Sequence, residues 1–137
     1  MRHIDEIIIH CSATKANMDI GAAQIRDWHV KDNGWSDIGY HYIIRRNGIL
    51  EVGRPVHRIG AHCKGHNVNT LGVCLVGGID ENGKPENNFT VKQMERFDVL
   101  LRRLKREHSS IAKITGHNEY ANKACPCFDV KTFLARM

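Results

Sequence analysis

Apolar and polar positions follow two rhythms along this chain, and the rhythms delimit its elements. Ile4 to His10 carries the continuous branched run Ile7-Ile8-Ile9, the mark of a strand buried on both faces. It ends at His10-Cys11-Ser12-Ala13-Thr14, and the end of a buried strand is where α/β sheets commonly place their chemistry. Asp19 is a candidate cap for a helix to about Asp32, with Ile25 and Trp28 on one face and Asn33-Gly34 as its stop. Tyr40–Arg45 and Ile49–Val52 flank Arg46-Asn47-Gly48. That predicts a hairpin, because Asn and Gly tolerate the positive φ of a tight turn. Gly60 to Asn69 reads as a polar, histidine-rich loop, and Leu71–Val76 as a second buried strand closed by Gly77-Gly78. After a loop over Asp80–Asn88, Thr90 caps the longest helix, to about His108, with Gln93 completing a capping box. Val91, Met94, Phe97, Leu101 and Leu104 form its apolar stripe. Ile111–Thr115 is the last strand, and Asp129 caps a final helix through about Arg136. One hairpin among separated helices predicts an α/β fold built on a sheet of mixed direction.

Composition bounds what such a chain does. Its 137 residues amount to one domain, 1–137. With 42% hydrophobic and 26% charged residues, intrinsic disorder is excluded. No apolar run approaches the ~20 residues of a membrane helix. Met1-Arg2-His3-Ile4-Asp5-Glu6 lacks the basic start and long apolar stretch of a signal peptide. The expectation is a protein that is cytoplasmic as synthesised, with no membrane partner. A net charge of +5 suits an anionic partner, either nucleic acid or a carboxylate-bearing polymer. It equally describes ordinary solubility. Arg102-Arg103 and Lys105-Arg106 fall on the helix pattern and read as a solvated face.

Five Cys, an odd number, do not read as a disulfide framework, and nine His make metal binding worth weighing. His10 ends the first strand, His117 follows the last, and Cys125 lies eight residues further on beside Pro126. Imidazole and thiolate are good zinc ligands, and three protein ligands with an open fourth position describe a catalytic zinc. The alternative is a buried core histidine and an inert buried cysteine. Cys125-Pro126-Cys127 has one intervening residue and does not match the two-residue redox motif. His41, His62 and His66 sit in glycine-rich connections and are candidates for ligand contact. His3, His29, His57 and His108 read as surface or structural.

Read in order, these segments resemble a known family. His10-Cys11-Ser12-Ala13-Thr14 resembles the first zinc-ligand motif of the zinc-dependent N-acetylmuramoyl-L-alanine amidases, the type 2 amidases, which share a fold with peptidoglycan recognition proteins. Gly39-Tyr40-His41-Tyr42, Gly60-Ala61-His62 and Leu71 to Gly78 are similar to its GYH segment, its substrate-groove motif and its central strand. Gly116-His117, then Lys123-Ala124-Cys125-Pro126, resembles the closing motif. The match runs from about Ile4 to Leu134 and is nearest the small phage-lysozyme-type amidases.

The resemblance implies a central mixed β-sheet of about five strands flanked by about three helices, with zinc in a surface groove. It implies His10, His117 and Cys125 as ligands of one Zn2+, Tyr40 and Lys123 as catalytic side chains, and His62 against a muropeptide, with His41 and His66 as further contacts. The activity implied is hydrolysis of the amide between N-acetylmuramic acid and L-alanine of peptidoglycan, by a monomer that reaches the cell wall after release. Zinc lowers the pKa of a bound water toward ~7, Lys123 stabilises the developing oxyanion, and Tyr40 orients rather than acts as base, since a phenol titrates near ~10. Other branches place a glutamate at the Tyr40 position. Cys127 stands where relatives often carry a small residue, and His66 where a tyrosine is common. Three other readings remain: a silent peptidoglycan-binding module on the same fold, a polymerase- or nucleic-acid-binding regulator, and a cysteine hydrolase using Cys11 or Cys125.

Overall fold

The computed structural model describes residues 2–137. Its main sheet has five strands in the order β4-β3-β5-β1-β7. These are β1 (Glu6–Cys11), β3 (Tyr42–Ile44), β4 (Leu50–Val52), β5 (Thr70–Leu75) and β7 (Lys113–Gly116). Central β1 pairs in parallel with β5 and β7, β3 pairs in parallel with β5, and β4 closes the edge antiparallel to β3. The expected mixed sheet is present, as is the hairpin, with Gly48 at φ 86° in its turn. A second sheet joins β2 (Thr14–Lys15) to β6 (Gly78–Ile79) in parallel. Strands of two residues leave no periodicity to read.

Strand alternation divides the core. Ile7 and Ile9 of β1, Leu71, Val73 and Leu75 of β5, and Tyr42 and Ile44 of β3 face the helix α2 (Val91–Glu107) through Phe97, Leu100, Leu101 and Leu104. The intervening residues face the other way. There Ile43, Cys74 and Val76 pack with Ala22 and Ile25 of α1 (Ala22–Lys31). His10, Thr70 and Gly72 have the parity of this second face.

Thr90 and Gln93 form the expected capping box, and Asp129 accepts from the Lys131 and Thr132 amides at the start of α3 (Val130–Ala135). Two expectations are corrected. Asp19 does not cap α1: the N-cap is Gly21, and the Ala22 N–H donates 2.8 Å to Glu51 Oε1 on β4. Asp19 instead accepts from Arg45. Val91 does not join the apolar stripe, being 74% exposed because at 3.6 residues per turn it falls on the same face as exposed Glu95 and Arg102. Leu100 and fully buried Gln93 take part instead.

Gln93 ties the helix to the sheet. Its Nε2 donates to Ile44 O at 3.2 Å and Val76 O at 2.9 Å. Its Oε1 accepts from the Thr90 N–H at 2.9 Å and from Arg46 Nη1 at 3.2 Å. Truncation strands buried polar groups, each costing about 1–3 kcal/mol. Gln93→Ala is therefore expected to lower unfolding stability by about 3 kcal/mol, read from the urea midpoint, whereas Val91→Ala on the exposed turn leaves that midpoint nearly unmoved.

Candidate active site

The site lies where β1 and β7 end. His10 is the penultimate residue of β1, and His117 opens a 3-10 turn, His117–Glu119, directly after β7. Parallel pairing of these strands brings residues far apart in sequence side by side, their ring centroids 4.6 Å apart. The Glu119 carboxylate accepts the Gly116 N–H at 2.8 Å and so braces the turn that presents His117. Cys125 comes from the following loop, and the Cys11 N–H donates to its Sγ at 3.2 Å.

One ligand atom from each of His10, His117 and Cys125 lies within 4.8 Å of the others. Two imidazoles and a thiolate are a donor set suited to zinc, with a fourth position left for water or substrate. The backbone N–H aimed at the Cys125 sulfur suits a thiolate there, because such donors stabilise negative charge. Burial, with His62, His117 and Lys123 nearby, holds His10 well below the usual histidine value. Burial and Lys123 lower His117 too. Both rings are thus biased to the neutral form a metal requires.

Tyr40 packs beside His10 with ring centroids 5.1 Å apart. Burial, with the sulfurs of Cys74, Cys125 and Cys11 around it, pushes its phenol well above the usual value, so it is a hydrogen-bond donor at neutral pH. Lys123 is exposed and lines a cavity of about 690 Å³ with His62, His117, Trp35 and Tyr120. That cavity is the groove beside the three ligand candidates.

The other histidines divide by depth. His62 lines the groove but is only 8% exposed, and its Nδ1 lies 2.8 Å from His10 Nε2. His66 does not line the groove; it stacks on Tyr120 at 4.0 Å and so backs the groove wall. His41 has no exposed surface. It sits beneath the groove, where its Nδ1 accepts the Gly72 N–H at 3.0 Å and its Nε2 donates to Arg58 O at 2.8 Å. His29 is structural, accepting the Gly39 N–H at 2.9 Å. Cys127 Sγ packs 3.7 Å from Cys11 Sγ, apart from the ligand cluster. All five cysteines are free thiols. Sequence reasoning missed Trp35 and Tyr120, and also Asn67, whose Oδ1 accepts the His62 and Cys63 amides at 3.0 Å each. Nothing in their local pattern separates them from ordinary loop residues.

Comparison with known proteins decides the family, since a family model described as N-acetylmuramoyl-L-alanine amidase matches residues 1–128. The chain belongs to the N-acetylmuramoyl-L-alanine amidase family. The endolysin of Klebsiella phage KP32 is 52% identical over 126 residues, covering 92% of this chain and 82% of that protein. The endolysin of Escherichia phage T7 is 50% identical over 127 residues, covering 93% and 83%. Among solved structures, the N-acetylmuramoyl-L-alanine amidase LysC from Clostridium intestinale superposes with a TM-score of 0.82 at 28% identity, covering 98% of this amidase-family chain and 85% of its own. Among the described residues, no helix is long and apolar enough to cross a membrane.

Burial lowers His41 from 6.5 in the unfolded chain to about 4 in the fold. Below pH 6.5 the unfolded chain therefore binds more protons, and stability falls as pH drops. His41's contribution is complete above about pH 6.5 and lost as pH falls toward about 4. Denaturant midpoints of chelator-treated protein are expected to decline across this window, and His41→Gln, neutral throughout, to show a shallower decline.

Proposed function

We propose that this amidase cleaves the amide joining the lactyl carbonyl of N-acetylmuramic acid to the L-alanine nitrogen of peptidoglycan, with zinc held by His10, His117 and Cys125. The observation that carries the reading is the convergence of those three donors, within 4.8 Å of one another, beside an open groove. Bound there, zinc supplies Lewis acidity and an acidified water.

The chain's own residues do the rest. The groove that receives the muropeptide is lined by Trp35 and by Tyr120, which His66 backs. His62, which lines the groove, contacts substrate, and His41 packs edge-on against it with ring centroids 5.8 Å apart. The Lys123 ammonium, exposed in the groove, offers a positive charge to the carbonyl oxygen as it becomes anionic. Tyr40, held protonated by burial, donates a hydrogen bond that orients the attacking water or the carbonyl. With its phenol raised it is no general base at neutral pH. The net charge of +5 favours a substrate whose stem peptides carry carboxylates. The role that fits the phage endolysins to which the chain is similar is lysis of the host wall, by protein made in the cytoplasm and released to its substrate.

The deciding experiment digests purified peptidoglycan and assays new amino termini and new reducing sugar ends separately. New alanine amino termini alone, abolished by chelator and restored by zinc, are expected. Activity that survives chelation points to a cysteine hydrolase, and sedimentation with the wall without turnover to a binding module. Cys125→Ser is expected to lose both zinc and activity. Lys123→Ala is expected to lower kcat about 10²–10³-fold with little change in KM, because its charge acts on the transition state.

A further inference from the structure

We propose that Thr70 and His62 are positioning residues that fix the tautomer of His10, so that the lone pair on His10 Nδ1 is the one offered to the metal. The inference rests on the zinc reading above and adds the device that makes His10 a competent ligand.

The assignment follows from counting protons along a buried chain of hydrogen bonds. The Thr70 hydroxyl has one proton and donates it to His66 O at 2.7 Å. Its oxygen then faces His62 Nε2, 3.2 Å away, as an acceptor. A neutral His62 must therefore carry its proton on Nε2, leaving Nδ1 as an acceptor. That Nδ1 lies 2.8 Å from His10 Nε2, so His10 must carry its proton on Nε2. The only ring nitrogen left with a lone pair is His10 Nδ1. The reverse order would set the Thr70 oxygen and His62 Nε2 against each other as two acceptors, with no proton between them. A carbonyl cannot donate, so the direction of the whole chain is set at His66 O.

The surroundings hold His62 in the one pose that completes this chain. Thr70 is fully buried and His62 is 8% exposed. Asn67 clamps the His62 and Cys63 amides. The ring lies across β5 at a position with no side chain: a Cβ at residue 72 would come within 2.6 Å of His62 Cγ. A Cβ at residue 60 would come within 2.8 Å of His62 Cδ2. Two glycines thus form a slot for the imidazole, and Thr70 closes one end. A ligating histidine whose second nitrogen is hydrogen-bonded is oriented and made a better donor, and such partners are worth about 10–100-fold in metal affinity.

The test measures zinc affinity of the full chain by competition with a chromogenic chelator. Thr70→Val, nearly isosteric but without the hydroxyl, is expected to weaken zinc binding about 10–100-fold, and Thr70→Ser to restore it. Both should keep the wild-type circular dichroism in the metal-free form, with Thr70→Val melting somewhat lower because it strands the His62 Nε2 proton and the His66 carbonyl. A merely structural role would lower the melting temperature alone and leave the zinc affinity of the folded protein unchanged. Long-range proton–nitrogen NMR on the zinc-loaded wild type reads the tautomers directly, with His62 and His10 both expected to be protonated at Nε2. That measurement decides the matter even if Thr70→Val fails to fold. Tight zinc binding by wild type with equal affinity in Thr70→Val, or His62 protonated at Nδ1, overturns this inference alone. Failure of the wild type to bind zinc overturns the metal reading itself and this inference with it.

Discussion

Everything in this protein depends on the register of β1. It is the middle strand of the parallel core, with His10 level with Cys74 of β5 and Ile9 level with Gly116 of β7. Because side chains alternate, Ile7 and Ile9 go into the α2 core while His10 goes to the opposite face. A slip of one residue would exchange those faces, burying an imidazole among Phe97 and the leucines and exposing isoleucine to the groove. The hydrophobic demand of one face thus enforces the chemical placement of the other. The cost of misplacing several buried isoleucines, about 1.5–3 kcal/mol each, far exceeds what any single site contact supplies.

The same alternation organises β5. Leu71, Val73 and Leu75 fill the α2 core, and the residues between them, Thr70, Gly72 and Cys74, are small or polar and lie under the site. Gly72 serves by lacking a side chain and also by its N–H, which donates to His41 Nδ1. Three histidines from separate segments therefore pack against one strand: His41 below, His62 across it, and His10 beside it, each hydrogen-bonded through at least one ring nitrogen. A polar cluster this deep is tolerated because its donors find acceptors within the protein.

What was legible in the sequence was what is local. The capping box at Thr90 and Gln93, the Asn47-Gly48 turn and the Asp129 cap are decided by residues three or four apart, and each stands where the pattern puts it. The cap of α1 was not legible, because its acceptor is Glu51, 29 residues away. Val91 was misplaced by its apolar type alone, since helical phase sets it with Glu95 and Arg102 on the exposed side. The histidines and cysteine that converge at the groove were visible as residue types. Their convergence depends on β1 pairing with β7 across most of the chain, which no local pattern encodes. Thr70 was the least legible, since a β-branched residue opening a strand is ordinary and only its neighbours give it a particular task.

The three donors at positions 10, 117 and 125 span nearly the whole length of the chain, and the strand that joins the first to the others is the last to be made. During synthesis His10 leaves the ribosome early, with neither His117 nor Cys125 yet in existence. The site is therefore assembled only once β7 and the loop after it have been made. A chain interrupted before β7 holds His10 but neither of the other two donors, so it cannot form the cluster.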